Sequence, residues 1–115
     1  MSYSKEEFEK ALQCEERELF AIIGYENYND IGASPPNIDR LIDLGQSWYK
    51  KNIVSLTKII CQSKIMDKVK SDHYSVELCI IIADFLFDQK IDAPIVPVVS
   101  LIVKTGIKSI CNDSL

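Results

Sequence analysis

The chain is poor in the residues that most catalysis and metal binding require. Of its 115 residues one is histidine, His73, in Asp72-His73-Tyr74, where the polar setting reads as the capped start of a helix. A nucleophile, base and orienting group cannot be assembled around it from any motif in the chain. The four glycines are scattered, so there is no glycine-rich phosphate loop. The four cysteines, Cys14, Cys61, Cys79 and Cys111, form no Cys-x-x-Cys pair, and zinc is not expected. There is no Glu-x-x-His motif of the di-iron bundles, and paired carboxylates of the glycosidase kind are not evident. No cofactor, metal or catalytic residue is expected. No run reaches the roughly 18 apolar residues that a membrane span needs. The polar start, Met1-Ser-Tyr-Ser-Lys-Glu-Glu7, does not read as a secretory leader. A cytoplasmic location is the expectation, and with it reduced thiols that act as small buried hydrophobes. Cys61 and Cys111, each in the last turn of an expected helix, are the one pair to watch.

What is present is helix. At 47% hydrophobic, the chain can bury a core as one domain spanning residues 1–115. The spacing predicts an all-α fold, a compact four-helix bundle with a long second helix and a central apolar third. The first helix runs from about Lys5 to Gly24. Ser4 and Glu7 form a capping box, Phe8, Ala11, Leu12, Leu19, Ile22 and Ile23 form the stripe, and Gly24 is the stop. A loop follows through Tyr25 to Ala33. The second helix opens on Ser34-Pro35-Pro36 and carries Ile38, Leu41, Ile42, Gly45, Trp48, Tyr49, Asn52, Leu56, Ile59 and Ile60, ending near Ser63. Such a helix would span about 43 Å, against a radius of gyration of about 13 Å for a globule of this length. It should bend or project, with Gly45 as the bend or close-packing point. A lysine-rich connector, 64–72, with a helical turn through Ile65, Met66 and Val69, leads to the third helix, Tyr74 to Gln89. The fourth opens at Asp92 and Pro94 and runs to Cys111 with Gly106 inside. A strand over Val96 to Val103 is excluded by apolar spacings of three and four.

The third helix is apolar on every face except for Asp84, so it is expected to be the most buried element. A carboxylate there needs a partner. The candidates are Arg40 or Lys104 as an ion pair, or the free amides at the start of the fourth helix. A carboxylate in a functional pocket is the remaining option.

The net charge of −4 argues weakly against nucleic acid as a partner. The charge is polarised. Glu6, Glu7, Glu9, Glu15, Glu16 and Glu18 crowd the first helix, whereas Lys50, Lys51, Lys58, Lys64, Lys68 and Lys70 face one acid, Asp67. Solvated faces are the ordinary explanation; a docking patch centred on Glu15 and Glu16 is the other. Trp48 and Tyr49 read as boundary packing or as an aromatic anchor for a partner.

Three segments, Leu56-Thr-Lys-Ile-Ile-Cys61, Ala83-Asp84-Phe-Leu86 and Val99-Ser-Leu-Ile-Val-Lys104-Thr-Gly106-Ile-Lys-Ser-Ile-Cys111, resemble a family of short helical domains. These occur in bacterial proteins of conflict and signalling systems. The resemblance covers about half of the chain and implies an accessory or adaptor role without catalysis of its own. Two function classes stand. One is a non-enzymatic adaptor acting through a protein partner, with self-association through the second helix included. The other is a small acidic immunity or antitoxin-like protein that neutralises a toxin by complementary charge. A membrane-inserting hairpin of the last two helices is opposed by Asp84 and Pro94.

Overall fold

The computed structural model describes residues 3–28, 37–64, 76–106 and Cys111. Ser34, Pro35, Pro36, most of the lysine-rich connector and His73 lie outside the described residues. Within them the protein is all-α and has five helices, not four: α1 Lys5–Gln13, α2 Glu16–Glu26, α3 Ile38–Cys61, α4 Val76–Asp88 and α5 Ile95–Thr105.

The fifth helix arises because the expected first helix is broken at Cys14. Ser4 caps α1, its hydroxyl accepting the Glu7 amide at 3.2 Å. After the nine residues of α1, Cys14 turns extended (ψ 148°), and its amide donates to Ala11 at 3.1 Å. In a continuous helix the Cys14 carbonyl would accept the Glu18 amide. Here it accepts the ammonium of Lys104, from α5. The Glu18 carboxylate instead reaches back to the Glu15 amide at 3.2 Å, which makes Glu15 the cap of α2.

Gly24 does not stop α2, which continues to Glu26 and closes on Asn27. Gly24 and Gly45 are instead the points at which α2 and α3 touch. A Cβ on Gly24 would fall 1.9 Å from the Leu41 carbonyl oxygen, and one on Gly45 would fall 1.8 Å from that of Phe20. Both obstacles are backbone, so neither can turn aside. This approach makes α2 and α3 the most extensively packed pair, and it bears out Gly45 as a close-packing point.

α3 is shorter than expected, 24 residues capped by Asn37, whose side chain accepts the Arg40 amide at 2.8 Å. It still spans about 36 Å. The molecule measures 46 × 30 × 25 Å with a radius of gyration of 14.3 Å, so the long helix is accommodated by elongation.

The core is built mainly by α4 and α5, closed by Phe8, Leu19, Ile23, Leu56 and Ile60. α5, rather than α4, is the most buried element. Eight of its 11 residues are buried, against five of 13 in α4. Pro97 is accommodated in its first turn. The buried hydroxyls of Thr57 and Ser100 donate one turn back, to Ile53 at 2.8 Å and Val96 at 2.7 Å. The turn into α5 is set by Lys90 (φ 58°): Ile91 donates to Leu86 and Lys90 to Phe87, the two bonds of a Schellman cap. Gly106 is not inside a helix. It ends α5 with φ 104°, a conformation other residues adopt only with strain.

Cys61 and Cys111 are joined as a disulfide, Cα atoms 5.5 Å apart and 50 residues apart in sequence. This overturns the expectation of four free thiols. Cys79 conforms to it, fully buried with its thiol pushed up to about 12 by desolvation, and Cys14 is half-buried.

Two stability predictions follow from these contacts. Gly45→Ala drives a methyl into the Phe20 carbonyl and should cost about 3 kcal/mol or more, read as a lower urea midpoint at unchanged slope. Reducing the disulfide frees a loop of 50 residues in the unfolded chain. By the chain-entropy relation this should cost about 4 kcal/mol, seen in urea titrations with and without reductant and reproduced by Cys111→Ser in oxidising buffer.

Candidate functional site: an acid-rimmed groove on the α2–α3 hairpin

Because α2 and α3 meet backbone to backbone, their side chains splay apart on either side of the contact. On one side this leaves an apolar groove of about 450 Å³ lined by Glu18, Ala21, Ile22, Tyr25, Glu26, Ile38 and Leu41. Three of its walls face solvent: Ile22 is 41% exposed, Ile38 55% and Tyr25 68%. A cluster of large apolar side chains left in water marks a contact surface more often than a lone one does. Both charged residues of the groove are glutamates. Burial pushes the Glu26 carboxyl above the usual carboxylate range. Among the described residues the ion pairs are Lys5–Glu77 at 3.5 Å and Lys10–Glu6 at 3.3 Å, and no cation pairs with Glu26.

Glu26 also lines a second, polar recess of about 250 Å³ with Asn27, Trp48, Asp92, Ala93 and Pro94. The groove is thus continued, past one carboxylate, by an indole face and another carboxylate. Asn27 is fixed there by its amide donating to the Ile23 carbonyl at 2.8 Å.

The residues singled out from sequence are dispersed. Trp48 borders this recess and is half-buried against the core. Tyr49 points elsewhere, stacking edge-on against Phe20 with centroids 5.5 Å apart. Glu16 lies near enough to Tyr49 to act on its phenol, which burial and then the Glu16 charge push up to about 12. So one expected acidic residue acts on one expected aromatic through its charge, while Tyr49 itself packs between α2 and α3 against Phe20. Glu15 is spent as the α2 cap. Asp84, half-buried at the edge of α4 and not at the centre of the bundle, accepts the Tyr3 amide at 3.2 Å. It therefore ties down the approach to α1. The expected partners are engaged otherwise: Lys104 with Cys14, and Arg40 exposed in the first turn of α3.

Sequence reasoning missed Ile22, Glu26 and Ile38 as surface residues, because Ile22 and Ile38 fit the apolar stripes and read as core. Tyr25, expected in a loop where it could cover the core or face a partner, is exposed on α2. Among the described residues no group of three or more His, Cys, Asp or Glu could hold a metal, and no helix is long and apolar enough to cross a membrane. Comparison with protein-family models, curated proteins and solved structures finds no match.

The Tyr49 environment gives a pH prediction. Its phenol is raised in the folded state, so the unfolded chain ionises first, near pH 10. Stability from this group is present below pH 10 and is lost as pH rises toward about 12. Ultraviolet titration should show a late component, to which Tyr3, also raised by burial, contributes. Tyr49→Phe should remove the part near pH 12 together with part of the alkaline loss of stability.

Proposed function

We propose that the protein is a non-enzymatic helical module acting through protein–protein contact, in the accessory role within bacterial defence or signalling that the family resemblance implies. The observation that carries this reading is the groove of Ile22, Tyr25, Ile38 and Leu41 between Glu18 and Glu26. Its walls offer what recognition uses: exposed apolar area, an aromatic of the kind that anchors interfaces, and charge of one sign. None of its lining residues is a nucleophile paired with a base.

The second reading, an acidic immunity or antitoxin-like protein, draws on the same rim. An exposed Glu26, its carboxyl raised by partial burial and without a counter-ion among the described residues, favours a partner that brings a cation to it. The Cys61–Cys111 disulfide weighs against the reducing cytoplasm as the place of action, because structural disulfides persist in oxidising compartments.

The test is capture from the native host with the wild-type chain and with Ile22→Asp and Tyr25→Ala, folding checked by circular dichroism. A partner retained by wild type should fall at least about tenfold on both variants, the effect of 1.4 kcal/mol. Equal retention would place the contact surface elsewhere.

A further inference from the structure

The acidic stripe of α2 has a counterpart on the same molecule. On α2, Glu18, Ile22 and Glu26 recur every four residues, all exposed. On α3, Lys50, Val54 and Lys58 recur every four residues, also exposed, and Val54 at 63% is among the most exposed large apolar residues described. Each stripe therefore runs acid–apolar–acid or base–apolar–base over about 12 Å of helix. The signs are kept pure around them. No acid falls between Leu44 and Lys64. The one cation of α2, Arg17, sits seven residues before Gly24, within about 20° of it around the helix, and so off the stripe.

We infer that the α2 groove receives the Lys50–Val54–Lys58 face of a second copy of this chain. Val54 enters the apolar groove beside Ile22, Tyr25 and Ile38, while the two lysines meet Glu18 and Glu26. The inference rests on reading the groove as a contact surface and names its occupant. The two stripes cannot satisfy one another within one molecule. Ile22, two residues and about 160° round the helix from Gly24, stands on the outer wall of the groove, open to solvent. Val54 is nine residues from Gly45, about half a turn round, so it points away from α2. The stripes face opposite ways, and association is head-to-tail, giving open chains or rings and not a two-fold dimer. One helix face on another buries far less than a standard stable interface, so each contact is weak and reversible, and its attraction is sensitive to salt.

Sedimentation equilibrium of the full chain, disulfide intact, tests this directly. At low ionic strength the weight-average mass should rise with concentration past that of a dimer. It should return to the monomer at about 1 M salt, where the screening length falls to about 3 Å. Glu18→Lys with Glu26→Lys should be monomeric, as should Lys50→Glu with Lys58→Glu. All four side chains are exposed. Glu18 also closes the α2 capping box, so Glu26→Lys alone, which should weaken association in the same direction, is measured beside the double variant, and circular dichroism is read on each. Mixing the two double variants should restore association, because each then presents the sign that the other lacks. A wild-type chain that stays monomeric at low salt overturns the inference, as does association that survives both reversals. Either result leaves the capture of a foreign partner by the groove, tested by Ile22→Asp, standing or falling on its own.

Discussion

Two backbones in contact organise this molecule. Gly24 on α2 and Gly45 on α3 each lie where a Cβ would strike the other helix's main chain, at 1.9 and 1.8 Å from a carbonyl oxygen. Helices that approach this closely cannot interleave large side chains between their axes, so those side chains are displaced to the flanks. On one flank Phe20 and Tyr49 meet edge to face. On the other, Ile22, Tyr25, Ile38 and Leu41 are left as the walls of a groove. The exposed apolar surface is thus not an accident of composition. It is what remains when the hairpin closes at its glycines.

Polar links of long sequence range fasten α1 to the helices that build the core. Lys104 reaches across 90 residues to the Cys14 carbonyl, and Asp84 across 81 to the Tyr3 amide. Both bind main-chain groups near the ends of α1, so two charged side chains of the core-forming helices hold that helix. Neither ends up as half of an ion pair with the other.

Local chemistry was legible in the residues; tertiary exchange was not. The Ser4 cap, the stripes of α1, α3 and α5 and the close approach at Gly45 follow from short-range rules and were expected. The break at Cys14 was hidden because its cause lies on α5. Gly24 was misread because a glycine at the end of an apolar stripe gives the same signal whether it caps a helix or admits a neighbour. Gly106 was misread in the opposite sense, as interior when it is a cap. Asp84 was correctly seen to need a partner, but periodicity cannot say which. The groove was invisible for a related reason: Ile22 and Ile38 satisfy a core pattern, and only the geometry of the hairpin turns them outward. The disulfide pair was singled out, but a general preference for reduced thiols outweighed it.

The Cys61–Cys111 link also divides the chain by how it comes apart. It closes a loop that contains α4 and α5 and anchors it to the end of α3, so in any partial opening those elements stay within reach of one another. α1 lies outside the loop and is fastened by the Asp84–Tyr3 and Lys104–Cys14 contacts, by the Lys5–Glu77 pair and by the burial of Phe8 and Ala11. So α1 is held by non-covalent contacts alone, whereas α4 and α5 remain tethered to the end of α3 even where their packing opens.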